Sequence, residues 1–364
     1  MRFPEIAYMS WAKRLPRAAA NLARSGVEPC PRTLLRLRPR DFAIQHPAGY
    51  GYRPLREALA RRYGVDPDGV LSVSGGASLA NWLAAAAALD GAPPGAEVIV
   101  ERPTYEPLLR IAQALGGRVR RLERRFESGW AIDWDRFAAL VTRRTRLAIV
   151  SNLHNPTGAR IPHAMLGAMA ERLRRVGAYL VVDEVYLEEL IGPRTASSVH
   201  AGPNVLATNS LTKAYGLDGL RAGWILGPRR LIRRAGTIYD LIGVNPVSPA
   251  EQLALAALRR LPALRRRSQA ILRPNRATLA AFFAHETRLD VVLPAGGNVA
   301  FPRLPAPLRG RAVADHLRRR HDTLIVPGEF FEAPRHVRIS FGCTAGPLKR
   351  GLARLELTLD ELLT

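Results

Sequence analysis

The sequence predicts an α/β fold, with a mostly parallel, doubly wound sheet in a large domain and a smaller α+β domain after it. Short runs of Val, Ile and Leu alternate with helical stretches between residues 70 and 208. This alternation is typical of parallel strands that helices cover on both faces. After Asn245-Pro246 it stops and long helical stretches begin. We therefore predict a large domain over residues 45–245 and a second unit, in which the N-terminal arm, 1–44, joins residues 246–364.

The elements of the large domain follow from this alternation. Pro54 opens a helix that continues through Ala60, since proline is tolerated in a first helical turn. Near-continuous apolar runs predict strands at 70–73, 97–100, 147–151, 180–182 and 205–208. Helices are predicted to begin between those strands, at Leu79, Tyr105 and Pro162.

Helices dominate the predicted second unit. The N-terminal arm carries a helical pattern over residues 6–22, before a stretch that prolines interrupt. Helices are predicted over 249–285, with breaks near Pro262 and Pro274 because proline removes a helical hydrogen bond. Short strands are predicted around four apolar positions: Val291, Val299, Leu324 and Val337. A closing helix is predicted over 347–363.

The composition favours a soluble globular protein without nucleic acid as a partner. Hydrophobic residues make up 47% and charged residues 23% of the 364 positions, as in ordinary folded domains. The formal net charge of +23 would suit a polyanion, but the arginines are scattered in pairs along the chain rather than clustered in a binding motif. We therefore expect that nucleic acid is not a partner.

Cysteine usage and the N-terminal residues predict a cytoplasmic protein with no membrane partner. Cys30 and Cys343 are the two cysteines, and their spacing suggests neither a disulfide framework nor a metal site. Pro4, Glu5 and Lys13 interrupt the continuous apolar segment that a secretory signal needs, and no apolar run reaches the length of a membrane span.

Polar residues follow the predicted strands, where an open parallel sheet binds its ligands. The first strand leads through Gly75-Gly76-Ala77-Ser78 into a helix, which suits an anion because small residues let free backbone amides approach it. The second is followed by Tyr105, an aromatic ring that could stack on a planar ligand. A plain tight turn and a core tyrosine would explain the same residues.

The next two strands end in an amide and a carboxylate. Asn155 comes in the turn Asn155-Pro156-Thr157-Gly158, and Asp183 directly follows Leu-Val-Val, with Tyr186 three positions later. A carboxylate at the end of a buried strand needs a cationic partner or hydrogen bonds.

Lys213 stands at the centre of the segment Ser210 to Gly223, which reads SLTKAYGLDGLRAG. The chain has only two other lysines, Lys13 and Lys349, although it is rich in arginine. Lysine can form a Schiff base with an aldehyde and arginine cannot. A carboxylate, an amide, a phenol, an aromatic face, an anion loop and this lysine together make up the groups that hold pyridoxal phosphate.

These motifs resemble those of the fold-type I, class I/II pyridoxal-phosphate-dependent aminotransferases, and the resemblance extends over nearly the whole chain. Three segments match in order and spacing: Asn155 to Gly158, Asp183-Glu184-Val185-Tyr186, and Ser210 to Lys213 followed by Gly219-Leu220-Arg221-Ala222-Gly223. The resemblance implies the fold-type I transferase fold, pyridoxal 5'-phosphate as cofactor, no metal, and a homodimer with active sites at its interface.

The resemblance also implies a role for each matching residue. Lys213 would carry the cofactor as a Schiff base and move protons, Asp183 would pair with the ring nitrogen, and Tyr105 would stack on the ring as the third catalytic residue. Asn155 and Tyr186 would bond the ring hydroxyl. The phosphate would be held by Gly76, Ala77, Ser78, Ser210 and Arg221.

Substrate contacts are implied in the same way. Arg338, in His336-Val337-Arg338-Ile339-Ser340, would bind the α-carboxylate together with Asn155, because a guanidinium fork suits a planar carboxylate. Gly26 would line the substrate pocket. Where many family members have a tyrosine that reaches the neighbouring subunit's phosphate, this chain has His46. Three alternatives stay open: His46 makes that contact, Tyr50 makes it, or the contact is absent.

The predicted function is the exchange of an amino group between an α-amino acid and a 2-oxo acid. β-Elimination, cyclisation, racemisation or decarboxylation on the same cofactor stay open, since cofactor-binding motifs do not separate them. A ligand-sensing module that retains the fold is a further alternative. The presence of Lys213 and the lack of a DNA-binding segment argue against it. Candidates for contact with the substrate side chain are Asn298, Glu329, Phe330 and Phe331.

Overall fold

A computed structural model describes residues 3–45, 49–187 and 197–364. Within these ranges a sheet of seven strands forms the centre of the molecule, in the order β2-β8-β7-β6-β5-β3-β4. Its strands are β2 Val70–Ser74, β3 Glu97–Arg102, β4 Arg118–Glu123, β5 Thr145–Ser151, β6 Tyr179–Asp183, β7 Val205–Ser210 and β8 Ala222–Leu226.

The central sheet is mostly parallel, as predicted, and β8 is the strand that runs against its neighbours. It pairs antiparallel with both β2 and β7. A parallel return would need a crossover of about a dozen residues or more, usually a helix, across the sheet. The 211–221 connection instead forms two short helical turns, Thr212–Tyr215 and Asp218–Leu220, at the sheet's edge. The strand therefore returns beside the one it left.

Two strands of this sheet were not predicted. β4 reads RVRRLE and lies at the edge, where Leu122 is its buried residue, so its sequence lacks a continuous apolar run. β8 reads AGWIL and begins with two small residues that give no strand signal. Packing against its neighbours, rather than local propensity, places each of them in the sheet.

Helices cover both faces of the sheet. One of them, Gly76–Leu89, is rich in alanine and buried between the sheet and the helix Arg229–Asp240. Among the described residues between 49 and 215, further α-helices are Arg53–Tyr63, Glu106–Ala114, Trp134–Leu140, His163–Arg174 and Thr212–Tyr215.

The N-terminal arm differs from its prediction. Its helix covers Ala7–Lys13 rather than 6–22, and Ala20–Asn21 forms strand β1 beside β10, Thr323–Leu324. Pro16 explains the early end, because the residue before a proline is disfavoured in the helical region. The arm is thus tied by backbone hydrogen bonds to the C-terminal part of the chain.

The C-terminal helices were predicted with one break too many. Ser248–Arg259 and Leu261–His285 are separated near Pro262, as expected, but the second helix continues through Pro274. Its Leu272, Leu279 and Phe283 are buried. Burial of such side chains stabilises the helix by about 1.5–3 kcal/mol each, which offsets the roughly 3 kcal/mol cost of the proline.

A small sheet and two further helices complete the fold. The sheet has the order β11-β12-β9, with β9 Val299–Ala300, β11 Val326–Pro327 and β12 Val337–Ser340. The strand predicted at Val291 is not formed; Asp290 makes an isolated bridge to Arg303 instead. The closing helix covers Ala345–Leu363 and packs on the helix Gly310–His321. The domain boundaries at residues 45 and 245 stay predictions.

A membrane-crossing helix would have to be long and apolar throughout. None of the helices in the described part of the chain meets that requirement.

Candidate active site

A cavity of about 220 Å³ lies at the carboxyl ends of β5, β6 and β7. It brings together candidate residues from five separate segments of the sequence. Those lining it are Ala77, Ser78, Tyr105, Asn155, Asp183, Tyr186, Ser210, Lys213 and Arg221. The remaining predicted residues, Gly26, Gly76 and Arg338, contact members of this set, as described below.

Lys213 lies on the short helix that follows β7. Its Nζ donates a hydrogen bond to Ser25 Oγ at 2.6 Å. Burial lowers the pKa of the Lys213 amine to about 8, and the positive charge of Arg338 acts in the same direction, while Asp218 and Asp183 oppose it. The neutral amine that a nucleophile or base requires is therefore a minority near neutral pH, but it is far more populated than in an ordinary lysine.

Asp183 ends β6 and is buried. Asn81 Nδ2 donates to Asp183 Oδ2 at 2.8 Å, and the backbone amide of Val185 donates to Oδ1 at 3.0 Å. Burial raises the pKa of the Asp183 carboxyl, while these two hydrogen bonds and the charge of Lys213 oppose that rise. The carboxylate is held in one orientation at the floor of the cavity.

Asn81 was missed by the sequence analysis. It is buried on the helix Gly76–Leu89, and Thr208 on β7 donates its hydroxyl proton to the Asn81 amide oxygen. This contact turns the amide nitrogen toward Asp183. The available signal was an amide within the otherwise apolar stretch Leu79 to Leu89, where a polar side chain needs a partner.

Arg338 lies on β12 and is fully buried, with 0% of its surface exposed. It donates to Asn155 Oδ1 at 3.0 Å, to Tyr8 Oη at 2.8 Å and to the carbonyl of Ala23 at 3.2 Å. Its Nε has no hydrogen-bond partner within the ranges that the structure describes. The guanidinium thus keeps an unused buried donor beside Asn155.

Tyr8 is a second residue that sequence reasoning missed. It lies on the arm helix Ala7–Lys13, whose first backbone amides point at Glu106; the amide of Tyr8 is 2.7 Å from Glu106 Oε2. The Tyr8 ring also lies edge-on to Tyr105, with 5.8 Å between centroids. No motif marks it, because its partners are about 100 and 330 positions away.

Two tyrosines form walls of the cavity. Tyr105 precedes the helix Glu106–Ala114, and burial raises the pKa of its hydroxyl. Tyr186 is buried and donates its hydroxyl proton to the carbonyl of Ser25 at 3.0 Å. The Tyr105 phenol is therefore a neutral donor and acceptor near neutral pH.

The glycine turn meets Arg221 through backbone contacts. The amides of Gly75 and Gly76 donate to the Arg221 carbonyl at 2.8 and 2.7 Å, and Arg221 Nη2 donates to the Gly75 carbonyl at 2.6 Å. Gly76 has φ +67°, and a Cβ there would lie 3.1 Å from Arg221 Nη2. At Gly223 a Cβ would lie 2.5 Å from the Gly76 carbonyl carbon, so glycine is required at that close approach.

Exposure varies along this end of the cavity. Ser210 is buried, whereas Ser78 and Arg221 are exposed to solvent. Arg221 adopts φ 49°, in the left-handed region. Two of the predicted phosphate-binding side chains, Ser78 and Arg221, are thus accessible to an anion from solvent.

A buried ionic network supports the Asn155 turn from behind, and no motif in the sequence predicts it. Arg124 donates to Glu101 Oε2 at 3.0 Å, and the Ser151 amide and hydroxyl donate to Glu101 Oε1 at 2.7 and 2.6 Å. Burial raises the pKa of Glu101, while Arg124 and Ser151 oppose that rise. Ser151 Oγ in turn accepts a hydrogen bond from the backbone amide of Asn155 at 3.2 Å.

His154 belongs to the same network. Its Nε2 lies 2.9 Å from the Pro103 carbonyl and its Nδ1 2.7 Å from Thr157 Oγ1. Burial holds the pKa of the imidazole well below its usual range, so the ring is neutral, donates from Nε2 and accepts at Nδ1. The turn that carries Asn155 is thereby fixed on both sides.

Gly26 lies against the backbone of the lysine helix. A Cβ at Gly26 would lie 3.6 Å from the Thr212 carbonyl oxygen and 3.7 Å from Lys213 Cα, and the Val27 amide donates to the Lys213 carbonyl at 3.0 Å. A second cavity of about 540 Å³ begins here and shares Met9, Ser25, Thr212 and Lys213 with the first. Gly26 thus lines the space next to the lysine.

The remaining sequence candidates lie elsewhere or outside the described residues. His46 falls outside the described ranges. Tyr50 is exposed and its hydroxyl donates to Asp240 at 3.4 Å; its contact with a neighbouring subunit's phosphate stays a prediction. Glu329 accepts from the Arg311 amide, and Phe331 packs on the Arg338 guanidinium at 5.1 Å. Asn298 and Phe330 are buried and line neither of the two cavities above.

A lysine directly after the seventh strand, facing a buried carboxylate and a buried arginine, defines a pyridoxal-phosphate-dependent enzyme of the fold-type I class. Comparison with known proteins agrees: the chain belongs to the aminotransferase class I and II family, whose sequence profile matches residues 43–355. Its cofactor is pyridoxal phosphate, and it is a transferase by family.

Relatives and solved structures resemble the chain over most of its length. Capreomycidine synthase of Streptomyces vinaceus is 33% identical over 307 residues, covering 84% of this chain and 78% of the relative. Arginine–pyruvate transaminase AruH of Pseudomonas aeruginosa is 31% identical over 328 residues, covering 86% and 82%.

Two crystal structures have nearly the same fold. A pyridoxal-phosphate-dependent aminotransferase from Streptococcus suis matches with a TM-score of 0.90 at 27% identity, covering 99% of each chain. The pyridoxal-phosphate-dependent cyclase OrfR matches with a TM-score of 0.86 at 30% identity, covering 100% of this chain and 98% of the other. The similarity therefore includes proteins named for two different reactions.

Proposed function

We propose that the protein exchanges an amino group between an α-amino acid and a 2-oxo acid, with Lys213 as the residue that binds the cofactor and moves the proton. The observation that carries the proposal is the convergence of a lysine amine with a pKa of about 8, the buried carboxylate of Asp183 and the buried guanidinium of Arg338. Pyridoxal phosphate supplies an aldehyde that takes the amino group and a ring that accepts the electrons released at Cα.

The residues present fit that cofactor. Asp183 offers the negative charge that a protonated ring nitrogen needs, and Asn81 and Val185 fix its orientation. Asn155 and Tyr186 offer an amide and a phenol for the ring hydroxyl, while Tyr105 offers an aromatic face. Ser78, Ser210 and Arg221 offer donors for a phosphate, together with the backbone amides of Ala77 and Ser78 at the start of the helix. The amides of Gly75 and Gly76 already donate to the Arg221 carbonyl.

Arg338 is proposed to bind the substrate α-carboxylate together with Asn155. Its Nε is buried without a partner within the described part of the chain, so an incoming carboxylate would satisfy a donor that is otherwise costly to bury. Lys213 in its neutral form then accepts the Cα proton and returns it, as a general base and acid.

A second reaction on the same cofactor is the alternative, and the similarity to the cyclase OrfR favours cyclisation among the possibilities. The two proposals differ in the final state of the cofactor. Transamination leaves pyridoxamine phosphate after one half-reaction, whereas cyclisation, elimination, racemisation and decarboxylation return pyridoxal phosphate.

A single-turnover experiment distinguishes them. The cofactor-loaded protein is mixed with a panel of amino acids that includes arginine, without any 2-oxo acid, and the cofactor is then extracted and identified. We expect stoichiometric pyridoxamine phosphate and one 2-oxo acid per site. Consumption of the amino acid with pyridoxal phosphate recovered intact would contradict transamination and support the alternative.

We also propose that the protein acts as a homodimer in the cytoplasm. Seven exposed apolar side chains, here called the apolar patch, come from two segments: Phe42, Ile44, Tyr50, Leu241, Ile242, Val244 and Val247. Leu241 is 87% and Ile44 79% exposed, which is unusual for residues of this type in one region. Both cysteines are free thiols, which suits a reducing compartment.

The apolar patch is joined to the phosphate end of the cavity. The Ala43 carbonyl accepts from Gln252 at 2.6 Å, which holds the two segments together, and the Val247 amide donates to Ser74 Oγ at 2.7 Å, directly before the glycine turn. A second copy that covered the patch would therefore lie beside Ser78 and Arg221.

Sedimentation analysis of a charged variant tests the dimer. Leu241→Glu would place a carboxylate in the apolar patch, and we expect a monomer, whereas Leu357→Glu, at an exposed leucine on the closing helix, should leave the dimer intact. A parent protein that sediments as a monomer at micromolar concentration would contradict this proposal.

A further inference from the structure

Ser25 holds the amine of Lys213 in this structure. Lys213 Nζ donates to Ser25 Oγ at 2.6 Å, although the two residues are 188 positions apart. Both side chains line the 220 Å³ cavity and the 540 Å³ cavity next to it. The hydrogen bond thus lies where the two cavities meet.

The backbone around Ser25 is fixed to the same part of the site. Its carbonyl accepts from the Tyr186 hydroxyl at 3.0 Å, and two residues later the Val27 amide donates to the Lys213 carbonyl at 3.0 Å. Gly26 between them has no side chain and packs directly on Lys213. The segment 25–27 therefore cannot move without disturbing Tyr186 or the lysine helix.

We propose that Ser25 is a positioning residue whose hydroxyl holds the Lys213 amine at the junction of the two cavities whenever the amine is not bonded to the cofactor. The inference rests on the proposed function, in which Lys213 must release the cofactor to the substrate and then reach the Cα proton. A free lysine side chain has four rotatable bonds and disperses over many rotamers. A hydroxyl acceptor restricts those rotamers and keeps the nitrogen near the reacting carbon.

The charged groups around the amine come from other elements. Arg338 on β12 and Arg221 after the lysine helix lower the pKa of Lys213, while Asp218 and Asp183 raise it. Ser25 adds a neutral acceptor. Because a hydrogen bond from an ammonium is stronger than one from an amine, this acceptor stabilises the protonated form more. Removal of the hydroxyl should therefore lower the pKa of the amine below its parent value.

The test measures attachment of pyridoxal phosphate to the cofactor-free protein as a function of pH. Attachment requires the neutral amine, so its rate rises with pH through the pKa of Lys213, near 8 in the parent. Borohydride reduction and mass spectrometry confirm that the cofactor is on Lys213. The second readout is deuterium exchange at the Cα of an amino-acid substrate.

Three variants give the comparison. Ser25→Ala removes the hydroxyl but keeps the carbonyl that Tyr186 bonds, Ser25→Thr keeps the hydroxyl, and Ser10→Ala removes a hydroxyl of the arm helix that bonds Glu5. For Ser25→Ala we expect a midpoint of attachment at lower pH and Cα exchange about tenfold slower. Ser25→Thr should restore both values, and Ser10→Ala should match the parent.

Each contrary result has a distinct meaning. If the pH midpoint of cofactor attachment in Ser25→Ala equals that of the parent, the inference is overturned, even where Cα exchange is slower. A general distortion of the arm would slow Cα exchange in both Ser25→Ala and Ser25→Thr without moving that midpoint. If the parent itself did not attach the cofactor at Lys213, the proposed function would fail, independently of Ser25.

Discussion

The two ends of the active-site cavity are built on different principles. At the end that would hold the cofactor ring, Asp183, Asn155 and Arg338 are buried, and each makes hydrogen bonds within the chain. At the end that would hold the phosphate, Ser78 and Arg221 are exposed and the exposed apolar patch begins nearby. One end is enclosed by buried, hydrogen-bonded side chains, and the other is exposed to solvent.

This difference determines how strongly each end should respond to mutation. Charges in a buried site interact strongly because little water screens them, whereas exposed charges contribute roughly 0–1 kcal/mol per ion pair. The buried groups also cannot be replaced by water when one is removed. We therefore expect large effects of mutation at the ring end and modest effects at the phosphate end.

The largest effect should come from Lys213→Ala. It removes both the amine that binds the cofactor and the proposed base, so turnover should fall at least about 10⁴-fold. The cofactor absorption band of the bound Schiff base should also be lost. Lys349→Ala, at an exposed lysine on the closing helix, is the matched control. Transamination that survived in Lys213→Ala would refute the assignment of the lysine.

Asp183→Asn should be the next most damaging change. It keeps the size of the side chain but removes the negative charge at the ring end, so we expect turnover to fall about 10²–10³-fold, as for loss of a preorganised electrostatic group. Cofactor attachment to Lys213 should persist, which separates loss of chemistry from loss of binding. Asp290→Asn removes an exposed carboxylate and should have no effect. Equal rates in Asp183→Asn and the parent would show that Asp183 does not serve the ring.

Arg338→Lys should act on the substrate rather than on the cofactor. Lysine keeps the charge but not the planar fork that a carboxylate and Asn155 use, so KM for the amino acid should rise about 100-fold, while the bound cofactor spectrum stays unchanged. The control is Arg335→Lys, three positions earlier and exposed. An unchanged KM would assign the carboxylate to another residue.

The smallest of these effects should appear at the phosphate end with Arg221→Gln. The Arg221 guanidinium is exposed, so water competes with it for the phosphate, and the affinity for pyridoxal phosphate should fall only about tenfold. Added salt should weaken the binding of pyridoxal phosphate to the parent more than to the variant. Arg229→Gln, at another exposed arginine, provides the comparison. A loss as large as that of Asp183→Asn would mean that the two ends do not differ as described.

The sequence predicted the residues at strand ends more successfully than their supports. Asn155, Asp183 and Lys213 follow apolar runs, so the parallel sheet that those runs predict brings them to one edge, and they do line one cavity. β4 and β8 escaped prediction because their stability depends on neighbouring strands. Two helix lengths were predicted wrongly because burial and local proline geometry compete. Burial carries the long helix through Pro274, whereas the geometry before Pro16 ends the arm helix early.

The missed site residues share a physical cause. Tyr8, Ser25 and Asn81 contact Arg338, Lys213 and Asp183 from more than 100 positions away, and no periodicity or spacing links such partners. The network of Glu101, Arg124 and His154 is likewise spread over three separate stretches of the chain. Isolated polar residues in apolar stretches were the only local sign of these long-range contacts.

The sequence by itself determined the class of chemistry, because a lysine, a carboxylate and an anion turn at the ends of apolar strands have a shared position in any parallel sheet. Tertiary structure alone decided how those groups are tuned. Burial lowers the pKa of Lys213 and raises that of Asp183, and the N-terminal arm brings Tyr8 and Ser25 over the site. Desolvation and hydrogen bonding depend on every segment that packs nearby, so they arise only when the whole chain has folded.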